Sequence, residues 1–153
     1  MDIGLYRKEV YGMQLSKFDF VHYDMMSFTD RTFHVCFEED IELQKYDYSN
    51  TAMGWFVLEY EYKKKRYNII FENDRLAFSV RIIDREGYHT SLYRMMQGVE
   101  LESGLTQKNV EQAINLLKEE LEKDNICFYI SKNNKQYKKE NGKISRIKYP
   151  FMA

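Results

Sequence analysis

Proline is almost missing from this sequence, the only one being Pro150, and the seven glycines are scattered. No Pro/Gly/Ser-rich stretch offers a linker and no segment repeats, so one α+β domain over residues 1–153 is the expected organisation. Two cysteines are too few for a disulfide framework. Cys36 and Cys127 each sit inside an apolar run, Phe33–Phe37 and Ile126–Ile130, where a reduced, buried thiol behaves as a small hydrophobe. Long apolar runs are lacking too: Met53–Leu58 and Leu76–Val80 fall far short of the roughly 20 residues that span a bilayer. Asp2, Arg7, Lys8 and Glu9 interrupt Met1–Tyr11, so it does not read as a secretory leader, and a cytoplasmic protein without a membrane partner is expected.

Signature motifs for cofactors are also missing. Gly98 and Gly104 flank Val99–Ser103 without the Lys-Ser/Thr of a phosphate loop, and no dinucleotide fingerprint is present. There is no Cys-x-x-Cys pair, His-Glu-x-x-His helix or calcium-loop spacing to organise His22, His34, His89, Cys36 and Glu38–Asp40 into a metal site. Neither a cofactor nor a metal is expected.

Apolar residues are abundant, at 44% with 16% aromatic, which supplies a core despite 31% charged residues. Their spacing points to strands. Gly54–Tyr62, Arg66–Phe71 and Arg75–Ile83 place Phe56, Leu58, Tyr60 and Tyr62, then Tyr67, Ile69 and Phe71, then Leu76, Phe78, Val80 and Ile82 on one face at period two. The short polar connections Lys63–Lys65 and Glu72–Asp74 predict an antiparallel meander, with Asn73-Asp74 in a turn. Period-two alternation also predicts strands over Lys17–Tyr23 and over Thr32–Phe37, where Phe33, Val35 and Phe37 would share a face. Toward the C-terminal end, Ile126–Ser131 reads as a strand, and Gln136–Glu140 and Lys143–Lys148 flank Asn141-Gly142, a strong hairpin signal because both residues accept positive φ.

One long amphipathic helix stands out at about Gln107–Asp124. Thr106 supplies its N-cap, Leu105 and Val110 a hydrophobic staple, and Val110, Ala113, Ile114, Leu117 and Leu121 its apolar stripe. Lys108, Glu111, Lys118, Glu119, Glu122 and Lys123 lie opposite, so the helix should cover the sheet with that face in water. Ser91–Gln97 reads as a shorter helix using Leu92, Met95 and Met96, with a strand as the alternative. Met25-Met26 and Met95-Met96 have the character of an adaptable binding surface, although methionine is more often core filler.

Charge is segregated along the chain. Residues 1–62 carry five basic and twelve acidic groups, a net of −7, whereas residues 127–153 carry seven basic and one acidic, a net of +6. Glu38, Glu39, Asp40 and Glu42 form an acidic run, with Asp47, Glu59 and Glu61 beyond it, and the basic runs are Lys63–Arg66 and Lys132–Lys148. Charged edges that discourage aggregation explain such runs, and so does steering of a partner. On the steering reading the partner-binding candidates are Glu38, Glu39, Asp40 and Glu42 against a basic protein surface, and Lys138, Lys139, Lys143 and Arg146. The basic hairpin, with Tyr137 and Tyr149, also has the residue types that lie along a phosphate backbone, which a sequence pI near 6.3 counts against.

Two patterns carry catalytic chemistry. On a strand, His34 and Cys36 would point the same way as base and nucleophile, some 6–7 Å apart along the backbone. Glu59, Glu61 and Lys63, with Asp47 upstream, resemble the acidic residue followed by Glu-x-Lys in metal-dependent nucleases of the restriction-endonuclease type, where carboxylates hold Mg²⁺ and the lysine orients water. Lys64, Lys65 and Arg66 after it read instead as a solvated turn. The expected function is that of a small non-enzymatic binding protein that antagonises another protein, of the immunity or anti-defence type found in bacteria and phages, a lineage suggested by a Lys-, Asn-, Ile- and Tyr-rich composition. Nucleic-acid binding or metal-dependent cleavage is the alternative.

Overall fold

A computed structural model describes residues 23–49, 54–75, 77–97, 99 and 101–148. Eight strands form a single sheet in sequential order, every neighbouring pair antiparallel. They are β1 (Ile41–Tyr48), β2 (Phe56–Tyr62), β3 (Tyr67–Asp74), β4 (Ala77–Ile83), β5 (His89–Ser91), β6 (Cys127–Lys132), β7 (Lys135–Glu140) and β8 (Lys143–Ile147). Helix α1 (Tyr23–Phe37) runs into a 3-10 turn at Glu38–Asp40, a short α2 (Leu92–Met95) follows β5, and α3 (Gln107–Glu122) precedes β6. The expected α+β class, with its meander, C-terminal hairpin, long helix and short helix, is what the chain adopts.

Both long helices pack on the same face of the sheet. Phe56, Leu58, Tyr60 and Tyr62 of β2, Ile69 and Phe71 of β3, and Phe78, Val80 and Ile82 of β4 join one buried cluster with Met26, Phe33 and Phe37 of α1 and the whole α3 stripe. Aromatic rings bind helix to sheet. The Phe33 centroid lies 4.3 Å from that of Tyr60 and 6.1 Å from Phe71, and Phe37 meets Tyr62 edge-on at 5.6 Å. The helices also touch each other, Lys118 Nζ donating to the Cys36 carbonyl at 2.8 Å.

Thr106 caps α3 as its sequence predicts, its Oγ1 accepting from the Asn109 amide at 3.2 Å. Truncating it in Thr106→Ala is expected to cost about 1 kcal/mol in urea denaturation, because one of the first-turn amides loses its acceptor.

Several expectations need correction. Thr32–Phe37 is the last part of helix α1, not a strand. Phe33 and Phe37 are spaced one helical turn apart and buried together, whereas Val35, placed on their face by the strand reading, is 69% exposed. The turn between β3 and β4 is not at Asn73-Asp74: Asn73 is a buried strand residue whose side-chain Nδ2 donates to the carbonyls of Gly54 at 3.2 Å and Arg75 at 2.8 Å. Arg75, with φ of +66°, takes the turn instead. The strand expected over Lys17–Tyr23 falls, apart from Tyr23 in α1, outside the described residues, as does Leu76. Asn141 and Gly142 have φ of +51° and +77°, as their hairpin signal requires, and Asn133 and Asn134 repeat that geometry between β6 and β7 at +52° and +63°.

Candidate protein-docking surface

Sequential strand order turns the charge segregation of the chain into a separation in space. The acidic run ends at β1, one edge of the sheet, and the basic run forms β7 and β8 at the other. The two ends differ in how far their charges are already paired.

At the acidic end, the turn after β2 folds back over the run. Lys64 lies 3.3 Å from Asp40, Lys63 lies 3.8 Å from Glu42, and the Lys63 amide donates to the Asp40 carbonyl at 2.8 Å. Glu59 faces Lys45 at 3.8 Å and Glu61 faces Arg66 at 3.7 Å. Glu38 and Glu39 are exposed in the 3-10 turn, and Asp47 accepts from the Tyr48 amide at 2.8 Å. Register and alternation put Glu59 and Glu61 on the sheet face away from the helices, but Lys63 has left the strand, and Asp47 pairs in register with Val57 rather than with either glutamate. Among the described residues no group of three His, Cys, Asp or Glu side chains is placed to hold a metal ion. The nuclease-like pattern is therefore not assembled as a site by these residues.

His34 and Cys36 do not form a catalytic pair either. Two residues apart on a helix is about 200° of rotation, so they face different neighbours. His34 Nε2 lies 3.4 Å from Asp30 Oδ1, beside the Tyr60 ring. The Cys36 thiol reaches Asn115 Oδ1 at 3.4 Å on α3, and burial pushes its pKa up, with Lys118 opposing. Both Cys36 and Cys127 are free thiols.

The basic end is held to the rest of the sheet by side chains more than by backbone. The ladder between β5 and β6 is the single pair His89↔Tyr129. Around it, Lys139 Nζ lies 2.8 Å from the buried Asp84 and also bonds Glu86, over the Tyr88 ring at 4.8 Å. Phe128 meets Tyr67 edge-on at 5.0 Å, and the Arg94 guanidinium stacks 4.4 Å over the Tyr129 ring. Lys65, which bonds Asp124 at 2.6 Å, walls a cleft of about 280 Å³ together with Tyr67, Asp84, Glu86, Phe128 and Lys139. Tyr67 lines it with a phenol whose pKa burial pushes up, Asp84 adding to the effect. Lys139 is thus an anchor inside the fold, not the surface cation that its place in the basic run suggested.

Beyond Lys139 the hairpin is solvated. Lys138 sits 3.3 Å from Glu140, while Lys135, Lys143, Arg146 and Lys148 are exposed and have no carboxylate within ion-pair distance among the described residues. Lys143 and Arg146 point to opposite faces of β8, and Ile144 between them is 48% exposed. Among the described strands none pairs with the outer edge of β8. Comparison with protein-family models, curated proteins and solved structures finds no match to this chain. No helix among the described residues is long and apolar enough to cross a membrane.

Sequence reasoning singled out Lys138, Lys139, Lys143 and Arg146 as candidates from composition alone. It missed Asp84, Glu86, Arg94 and Tyr129, whose roles depend on contacts between distant segments.

Proposed function

We propose that this chain is a non-catalytic binding protein of the immunity or anti-defence type, which antagonises a protein partner by docking the β7–β8 hairpin against an acidic surface. One observation carries the reading: the outermost strand of the sheet bears cations without carboxylate partners among the described residues, alongside an edge that no described strand pairs. An edge of this kind can add a strand of the partner through main-chain hydrogen bonds, while the cations steer the encounter. Occupying the partner's own strand edge is the means of antagonism. A protein is favoured over nucleic acid because the edge of β8 that no described strand pairs offers both N–H donors and C=O acceptors, which a partner strand can satisfy and a phosphate backbone, an acceptor alone, cannot. The hairpin's described aromatic, Tyr137, is half-buried instead of being displayed for stacking.

The test is affinity capture from the encoding organism with three forms of the chain: wild type, Lys143→Glu/Arg146→Glu, and Glu38→Lys/Glu39→Lys. The expected result is one protein retained by wild type and by the acidic-end variant. The hairpin variant should bind that purified protein at least about tenfold more weakly, a loss of about 1.4 kcal/mol, with the difference shrinking as salt is raised. Equal retention by the hairpin variant, loss only in the acidic-end variant, or release of the bound species by nuclease would each overturn the proposal.

A further inference from the structure

The single backbone pair joining β5 to β6 leaves a gap in the sheet. Past His89↔Tyr129 the two strands part: Thr90 and Ser91 lead into α2, and Cys127 and Ile126 lead back toward α3, with no further ladder pair between them. A polar cavity of about 350 Å³ lies there, lined by Thr90, Arg94, Glu120, Asn125, Cys127 and Tyr129, with further residues at its margins. Its volume is in the range of small-ligand sites.

Two features of the lining point to a ligand. Thr90 is 3% exposed, yet among the described residues its Oγ1 has no hydrogen-bond partner, a costly state for a buried hydroxyl in a finished fold. Arg94 is half-buried, its guanidinium carbon held over the Tyr129 ring 4.4 Å from the centroid, and among the described residues no carboxylate lies within ion-pair distance of it. The acids at the cavity are already engaged, Glu120 with Lys123 at 2.6 Å and Glu140 with Lys138 at 3.3 Å. A guanidinium oriented by stacking keeps its N–H fork for a planar or tetrahedral oxyanion, which it grips with two parallel hydrogen bonds. Tyr129 is a stable platform for it: its pKa is pushed up to about 12, chiefly by a hydrogen bond with Cys127 and then by burial, so the ring stays neutral.

We propose that the gap between β5 and β6 binds a small molecule bearing a carboxylate or phosphate group, with Arg94 holding the oxyanion and the Thr90 hydroxyl bonding the body of the ligand. The site is independent of the docking hairpin's outer edge. By spanning the seam, a bound ligand would brace β6–β8 against β1–β5.

The test titrates the full chain with inorganic phosphate in one series and malate in another. Thermal unfolding and the Arg94 side-chain ¹⁵N resonance are followed, with sodium chloride at matched ionic strength as the control. Wild type is expected to bind at least one probe saturably, with Tm rising by about 3–6 °C at ten times Kd. Arg94→Lys, which keeps the charge and loses the fork, should weaken binding by about tenfold or more. Thr90→Val should weaken it about threefold to tenfold without lowering the stability of the free protein, because the hydroxyl it removes has no partner among the described residues. A response to phosphate alone marks a phosphorylated ligand, and a response to malate alone marks a carboxylated one. Absence of saturable binding of either probe, an equal shift with chloride, or undiminished binding by Arg94→Lys would overturn the assignment.

Discussion

Phe33→Ala is expected to destabilise the protein by about 3–5 kcal/mol, whereas Val35→Lys, two residues away, should change stability by no more than about 0.5 kcal/mol. Phe33 is fully buried, with its ring centroid 6.0 Å from Phe37, 6.1 Å from Phe71 and 4.3 Å from Tyr60, so truncation opens a cavity where α1 meets β2 and β3. Val35 points away from that core and is mostly exposed. Denaturant unfolding of the two variants separates the structures directly. On a strand, both positions would share a buried face and lysine at 35 would cost several kcal/mol, since an unpaired ammonium would then sit in the core. Two similar, large losses would refute helix α1.

That pair of positions also shows why this region misleads when read as sequence. Phe33, Val35 and Phe37 alternate, but the buried stripe of α1 is Met26, Asp30, Phe33 and Phe37, at helical spacing. The stripe contains a charged residue, which breaks the apolar pattern. Its burial becomes intelligible only with Tyr60 in view, 30 residues away, whose hydroxyl donates to Asp30 Oδ1 at 2.6 Å. Strand β1 is hidden for a different reason. Ile41 and Leu43 occupy one phase of the alternation and Tyr46 and Tyr48 the other, because the register shifts between Leu43 and Lys45. One inserted residue moves every later side chain to the opposite face. Strands β2 and β4 and helix α3 have neither complication, and their period-two and period-3.6 patterns map directly onto buried faces, whereas the buried phase of β3 ends on the polar Asn73.

The candidate surface divides along similar lines. Which cations belong to the C-terminal hairpin is legible in Asn141-Gly142 and the lysines around it. Which of them are free is not. Lys139 and Lys143 are equivalent in sequence, yet one is spent inside the fold on Asp84, 55 positions earlier, and the other is exposed. The same holds for Arg94 and Tyr129, whose stacking depends on how β6 docks beside β5.

Lys139→Met is expected to cost about 2–3 kcal/mol, somewhat below the 3–5 kcal/mol typical of breaking a fully buried pair. The Asp84 side chain, 7% exposed, keeps its two backbone donors, Glu86 N and Tyr88 N, both at 2.9 Å, when the ammonium is removed, but it loses its counter-charge. The Lys139 pKa supplies a signature that a mere packing defect would lack. Burial acts to lower it, and the hydrogen bonds to Asp84 and Glu86, with their charges, more than compensate, so it stands above its ordinary value of 10.5. A lysine raised on folding contributes stability that is complete below the unfolded-state pKa and is lost as pH rises through the folded-state value. The gap between wild type and Lys139→Met should therefore be constant from neutral pH to about pH 10 and close above it. Adding Asp84→Asn to Lys139→Met should recover part of the loss, because a neutral amide still offers an oxygen to the two backbone N–H groups and leaves no buried charge behind. Amide exchange should locate the weakening in β6–β8, the segment that Lys139 ties to the sheet across its one backbone pair, leaving β2–β4 protected. A loss under about 0.5 kcal/mol, or a gap that persists unchanged above pH 11, would show that Lys139 does not anchor the hairpin.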